Sequence, residues 1–302
     1  MTNRRNKVVG LGEILWDMLP EGKKLGGAPA NFAYISTLLG DEGVVASRVA
    51  GDTLGNEATR HLDALGVTTE FVQRDPSHPT GTVKVEVDQA GQPKFEIAEG
   101  VAWDFLAWTQ DWKRLAATAD AICFGSLAQR AQTSRSTICQ FLTTARKDAV
   151  RVFDVNLRQA FFTEEIVATS MKIANIVKLN HEELPKIMEL FGLEHQDEIA
   201  SSKSLLDLHD LSLICVTRGS GGSLLMTRHD LHEHPGYRIQ VTDAIGAGDA
   251  FTAGLVHEYL RGASLPNMNE TANRVGAWVA SRAGAMPSPG DGGVRAEMSK
   301  VG

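Results

Sequence analysis

Stretches of strand length and of helix length take turns along most of this chain, and few folds accommodate that order. Residues 7–11, 43–49, 121–124, 150–155, 176–179 and 211–216 are apolar runs that read as buried strands. Residues 29–39, 53–65, 134–146, 163–174, 181–191, 198–208, 250–260 and 270–281 read as helices, the first two ending at Gly40 and Gly66. A strand that returns through a helix lies parallel to its neighbour, so the pattern predicts an α/β fold with a mostly parallel central sheet and helices on both faces. Residues 68–98 break the alternation. Short strands at 71–74, 82–87 and 94–97 are separated by Pro76-Ser77-His78-Pro79 and by the turn composition of 88–93. Val83, Val85 and Val87 share one face at period two. This segment, with part of 14–25, is expected to form a small antiparallel β lid.

Composition narrows the function. The chain has 302 residues, enough for a large core, and a net charge of −7 with no Lys/Arg run, which argues against nucleic-acid binding. No apolar stretch reaches membrane-spanning length, and the polar, basic residues 1–7 do not read as a secretory signal. Cys123, Cys139 and Cys215 lie far apart with no C-x-x-C spacing, and are expected to be reduced core residues of a cytoplasmic protein.

The chemistry concentrates at Thr242-Asp243-Ala244-Ile245-Gly246-Ala247-Gly248-Asp249-Ala250-Phe251, between a β-type run at 237–241 and the helix at 250–260. Small residues at a helix start bring unpaired N–H groups and the positive end of the helix dipole to an anion. Asp249 sets a base beside that anion, an arrangement suited to phosphoryl transfer; an ordinary capped helix explains the same residues. No G-x-x-x-x-G-K-[ST] occurs, Gly10-Leu11-Gly12 is followed by Glu13 rather than a Rossmann helix, and no H-E-x-x-H spacing is present.

Several of these segments together resemble the ribokinase-like, or PfkB, carbohydrate kinases. Gly10-Leu11-Gly12-Glu13-Ile14-Leu15-Trp16-Asp17 resembles the family's opening strand, and Leu25-Gly26-Gly27-Ala28-Pro29-Ala30-Asn31-Phe32-Ala33 its first signature. Gly51-Asp52 with Gly55 resembles the next motif, and 242–251 the second signature. The opening segment, Val101-Ala102-Trp103-Asp104 and Asp154-Val155-Asn156-Leu157-Arg158 look most like bacterial fructokinases. The resemblance covers nearly all of residues 1–302 and implies a single ribokinase-like domain with a lid at about 14–25 and 68–98. Ala244 stands where the family usually has Thr, which removes a hydroxyl near the anion site.

The resemblance assigns roles. Asp249 is the base for the attacking sugar hydroxyl, the N–H groups of Gly246, Ala247 and Gly248 form the anion hole, and Arg158 adds a planar cation. Asp17, Gly27, Asn31 and Asn156 fall to sugar binding, with Gly26 and Gly27 allowing close backbone approach and Trp103 and Phe95 supplying apolar contact. Asn180 and Glu183 match an N-x-x-E motif tied to Mg²⁺ and phosphate, Glu183 acting through water; the same pair also reads as a capping box. Thr217, Gly219, Gly222, Asn273 and Gly276 are implied for ATP, and Asp243 for a monovalent cation such as K⁺. The expected activity is ATP- and Mg²⁺-dependent phosphorylation of a sugar, foremost fructose. A kinase for 2-keto-3-deoxygluconate or ribose, or a catalytically silent sugar-binding relative, are the alternatives. The apolar lid face predicts a homodimer through the lid.

Overall fold

The computed structural model describes residues 4–20, 22–87, 93–194 and 196–301. Its strands are β1 (Lys7–Leu11), β2 (Leu15–Leu19), β3 (Gly22–Gly26), β4 (Glu42–Ala50), β5 (Val72–Asp75), β6 (Gly81–Val87), β7 (Pro93–Ile97), β8 (Ala121–Gly125), β9 (Val150–Asp154), β10 (Ile176–Asn180), β11 (Leu213–Thr217), β12 (Ser223–Met226) and β13 (Leu231–His234). Its helices are α1 (Ala28–Leu39), α2 (Thr53–Ala64), α3 (Gln110–Thr118), α4 (Gln132–Thr144), α5 (Glu164–Ile173), α6 (Glu183–Leu190), α7 (Glu198–Leu208), α8 (Ala247–Tyr259), α9 (Leu265–Ala280) and α10 (Gly293–Met298). Caps fix several boundaries: the side chains of Asp52, Thr109, Thr163 and Asp197 accept from N–H groups in the first turns of α2, α3, α5 and α7. No described helix is long and apolar enough to cross a membrane.

The large sheet runs β13-β12-β11-β10-β9-β8-β1-β4-β5, parallel except for β12 and β13. Its central strands are buried on both faces, which matches their continuous apolar runs. The second sheet runs β3-β2-β6-β7: two antiparallel hairpins side by side, joined by parallel pairing of Leu15 with Gly81. Val83 and Ile97 turn inward from it and join a core cluster with Leu15 and Trp103. The side chains of Val85, Val87 and Phe95 lie outside the described residues.

Five departures from the expected elements appear. The strand expected at 71–74 is β5, and it pairs in parallel with β4 through Ser47 and Val72, so it edges the large sheet rather than the lid. The β-type run at 237–241 has no strand partner; it lines a cleft instead. The β12–β13 hairpin was not foreseen, its strands being only four residues each. Helix α8 begins at Ala247, three residues earlier than expected, and α9 at Leu265, where Pro266 suits a first turn.

Parallel strands deliver their C-terminal ends to one edge, where ligand sites of such sheets lie. Glu13 follows β1, Asn156 and Arg158 follow β9, Asn180 ends β10 and Thr217 ends β11. Helix α1 sits hard on this sheet because Gly10 admits it: a Cβ on Gly10 would stand 2.0 Å from the Pro29 carbonyl oxygen. Gly10→Ala should therefore destabilise the protein by about 2–3 kcal/mol, read as a lower urea midpoint. An unchanged midpoint would refute this close contact.

Candidate active site

The site is built around the first turn of α8. Gly246 is its N-cap in a left-handed conformation (φ 77°), which only glycine adopts readily, and no side chain caps the turn. The N–H of Gly248 has no helical acceptor below it, whereas that of Ala247, expected in the anion hole, already makes a long bond to the Ala244 carbonyl (3.3 Å). Asp249 stands inside the turn and is not the cap, so its carboxylate is spared; Oδ2 accepts a hydrogen bond from Asn31 Nδ2 at 2.7 Å. Loss of water around it, and then the charge of Asp154, push the Asp249 carboxyl up to about 6, against the pull of Asn31, Lys178 and Arg158.

Beneath this turn lies an ion pair that sequence reasoning missed. Lys178 Nζ, on β10, donates to both oxygens of Asp154 on β9 (3.1 and 3.2 Å), and Thr252 Oγ1 of α8 donates to Oδ2 (3.1 Å). A Cβ on Gly248 would come within 3.0 Å of Lys178 Nζ. Burial opposes the lysine's charge, yet the carboxylates of Asp154, Glu183 and Asp249 outweigh it and raise its pKa. The only available signal was a lysine in the middle of an apolar strand, a placement that demands a buried partner.

The sugar-side residues come from α1, β2 and the β9 loop. Asn31 lies on the first turn of α1 and is buried. Asp17 lies on β2; burial raises its pKa against the opposing charges of Lys24 and Arg158. Asn156 (φ 39°) borders a small cleft with Asp154 and Asp249. Arg158 is exposed, and its charge acts on Asp17, Asp249 and Glu13 alike. Glu13, present in the opening motif but given no role there, is buried, with Oε2 lacking a partner among the described residues. Burial first, and then Asp249, push its carboxyl up to about 7.

One sugar-side expectation is corrected, and the glycine pair has a structural reason of its own. A Cβ on Gly27 would stand 2.5 Å from the Glu13 carbonyl oxygen, and one on Gly26 would stand 3.0 Å from Asp17 Oδ2. The glycine pair thus makes room for the chain's own β1–β2 connection and Asp17. Trp103 is fully buried in the core and stacked under Arg130, so it is no sugar contact.

Asn180 and Glu183 do form a reciprocal cap. Asn180 Oδ1 accepts from the N–H groups of Glu182 and Glu183, and Glu183 Oε2 accepts from Asn180 N, each at 2.9 Å. Glu183 Oε1 accepts from Leu157 N (2.8 Å), which ties β10 to the loop carrying Arg158. Asp243 braces its own turn: it accepts from Ile245 N (3.0 Å) and Gly284 N (3.1 Å), and Lys24 Nζ lies at 3.4 Å.

A cavity of about 450 Å³ ends at Ala247 and Gly248. Thr217, Gly219, Gly222, Asn273 and Gly276 all line it, and Asn180 does not. Tyr237, Arg238 and Ile239, expected in a strand, form part of its wall, and Ala244 adds a methyl group. Asn273 is held by donating to Ser223 Oγ (2.7 Å) and to the Asn269 carbonyl. A cavity lined by a helix start with a lysine beneath, and by apolar side chains such as Ile239, Val241 and Phe251, suits a polyanionic ligand with an apolar end.

Comparison with known proteins agrees with this geometry. The model of the pfkB family carbohydrate kinases matches residues 21–290. A fructokinase of Escherichia coli is 29% identical over 93% of this chain and 95% of its own. The structure of an uncharacterized sugar kinase from Pyrococcus horikoshii in complex with ATP superposes with a TM-score of 0.80 at 27% identity, covering 92% of this chain and 94% of that one. A Vibrio cholerae fructokinase double mutant, in a form bound to fructose, ADP and potassium ion, superposes with a TM-score of 0.78 at 25% identity, covering 95% and 96%.

The Asp249–Asn31 bond makes a prediction about acidity. The Asn31 amide stabilises the ionised carboxylate, so Asn31→Ala should raise the Asp249 midpoint above its value of about 6. Carbon-13 NMR titration of the aspartate carboxyls in the ligand-free protein reads this directly. A wild-type midpoint at the ordinary value of about 4, or no rise in the variant, would sink the account.

Proposed function

Because the chain belongs to the PfkB family of carbohydrate kinases, we propose that it transfers the γ-phosphoryl group of ATP to a hydroxyl of fructose. The observation that carries this reading is the position of Asp249, which follows Ala247 and Gly248 of the large cavity's wall, shares a small cleft with Asn156 and accepts from Asn31. A sugar hydroxyl seated there loses its proton to Asp249 as its oxygen attacks the γ-phosphorus, and ADP leaves from the opposite side. The N–H groups of the α8 start receive the transferring oxygens, with Lys178 below and Arg158 above adding positive charge. Asp17 and Asn31 offer an acceptor and a mixed donor–acceptor to sugar hydroxyls. The fructokinase relatives support fructose as the sugar.

Magnesium fits this arrangement as an ion held chiefly by phosphate oxygens, with Glu183 reaching it through water. Both Glu183 oxygens already accept backbone N–H groups, so a direct bond to the ion would break the cap. A potassium ion at Asp243 would share that carboxylate with Lys24. Buried free thiols at Cys123 and Cys215 support a cytoplasmic location.

Acidity gives the reaction a sign. Asp249 acts only when ionised, so kcat/KM should fall as pH drops through about 6. Asp249→Asn should lower turnover by at least ~10²-fold while sugar and nucleotide still bind. ADP release across fructose, ribose and 2-keto-3-deoxygluconate tests the substrate, with the highest kcat/KM expected for fructose. Preference for another sugar would replace fructose in this reading. No sugar-dependent ADP release would end it in favour of a silent binding protein, and a fully active Asp249→Asn would remove Asp249 as the base.

The reading includes a dimer through the second sheet. Met18 stands 38% exposed on β2, and β3 and β7 are outer strands with unpaired edges among the described residues. Light scattering at micromolar concentration should give a dimer for the wild type and a monomer for Met18→Glu. A monomeric wild type would remove the dimer.

A further inference from the structure

Arg130 has no part in the chemistry above, yet it is held by a carboxylate, a carbonyl and two aromatic rings. It follows β8 through the short turn Leu127–Gln129, and its side chain is only 6% exposed. Nε donates to Asp104 Oδ1 (2.8 Å), and Nη2 donates to Asp104 Oδ2 (2.9 Å) and to the Ala98 carbonyl. The guanidinium carbon stands 4.0 Å from the ring centre of Trp103 and 4.7 Å from that of Phe161. Planar stacking together with a forked ion pair is a geometry that arginine fills and lysine does not.

These contacts join three segments that are distant in sequence. Ala98 directly follows β7, and its N–H donates to the Thr82 carbonyl of β6, so it belongs to the root of the second sheet. Asp104 anchors the turn below that root by accepting from Val101 N. Phe161 belongs to the β9 loop, and its N–H donates to the Arg158 carbonyl at 3.0 Å. That loop holds Asn156 (φ 39°) and Gln159 (φ 49°), two left-handed residues on either side of Arg158. Such backbone persists only where its surroundings over-determine it. A cavity of about 290 Å³ borders Arg130, Asp104 and Phe161, while Leu157 and Phe161 of the loop also pack against the core.

We propose that Arg130 is a positioning residue that ties the root of the lid sheet to the loop carrying Arg158, so that Arg158 is aimed at the transferring phosphoryl only while the lid is seated. This rests on the role given to Arg158 above. Movement of the lid root pulls on Ala98 and Asp104, which Arg130 passes to Phe161 and thence to the Arg158 backbone. The free protein already has the clamp made, and among the described residues Arg158 itself donates to the neighbouring Leu157 carbonyl (3.3 Å).

A double-mutant cycle tests the coupling, using whichever sugar of the panel is turned over fastest. Arg158→Ala should lower kcat. Arg130→Met should lower kcat by about tenfold, with a smaller change in KM. In the Arg158→Ala background, Arg130→Met should cost less than about twofold, because the group it positions is gone. A merely structural Arg130 would give losses that multiply, and that result overturns the proposal. If Arg158→Ala alone leaves kcat unchanged, the role of Arg158 falls, and the clamp falls with it. Phe161→Leu keeps the Arg130–Asp104 pair and removes the stack, and it takes the place of Arg130→Met in the same cycle should that variant not fold. Masking of its effect by Arg158→Ala is then the expected result, and multiplication is the overturning one.

Discussion

A lysine ammonium buried under a helix start is a costly thing to build, and the rest of the site is arranged around meeting that cost. Lys178 has lost its water, and isolated burial of such a charge is prohibitive unless it is paired and hydrogen-bonded. Asp154 supplies the pair from the adjacent strand, and Thr252 occupies the same carboxylate from α8. Three elements, β9, β10 and α8, are thereby pinned in one register directly below Gly248. Removing one partner would strand the other in a buried site, a loss of about 3–5 kcal/mol in comparable pairs. The same two charges bear on the base from opposite sides: Asp154 raises the Asp249 pKa and Lys178 lowers it. The fixed charge under the proposed phosphoryl site and the acidity of the proposed base are therefore one design.

That design works against stability. Glu13 and Asp249 are carboxyls whose folded pKa values, about 7 and about 6, lie above their ordinary ones. Between the ordinary and the raised value the folded protein keeps a proton that the unfolded chain has released. Stability contributed by these groups accordingly falls as pH rises through that window. Most paired carboxylates behave in the opposite way; Asp41, Asp52 and Asp75 are held below their ordinary values by hydrogen bonds and nearby cations that outweigh burial. In Glu13 and Asp249 burial outweighs the compensation present, which is backbone hydrogen bonds at Glu13, and Asn31, Lys178 and Arg158 at Asp249.

The large features of this fold were legible because burial leaves a periodic record. Strands buried on both faces read as apolar runs, and capped helices announce their ends, as Gly40 does for α1 and the Asn180–Glu183 pair does for α6. The β12–β13 hairpin left too short a record, and β5 was misassigned because its strand pattern is blind to its partner. In the site, the residues that carry a motif were visible: the chain's long cavity gathers Thr217, Gly219, Gly222, Asn273 and Gly276 from far-apart segments. What sequence could not convey was purpose within a motif. Gly26 and Gly27 make way for Asp17 and Glu13. Lys178, Glu13 and Arg130 escaped because their roles exist only once separate strands lie side by side.

The start of α8 is the clearest case of a small boundary deciding chemistry. A helix beginning at Ala250 would make Asp249 its N-cap, and an N-cap carboxylate spends itself on the N–H groups of the first turn. Those N–H groups would then be closed to an anion, and the carboxylate would be too weak a base to take a proton. The helix instead begins at Ala247, because Gly246 adopts the left-handed conformation and lies against Ala285 where a Cβ would collide at 2.4 Å. Shifting the cap by one turn leaves the Gly248 amide open and returns the carboxylate to Asn31. One glycine thus separates a capped helix from a site able to hold a phosphoryl group and deprotonate its acceptor, and both readings of the same ten residues differ physically only in where the first turn begins.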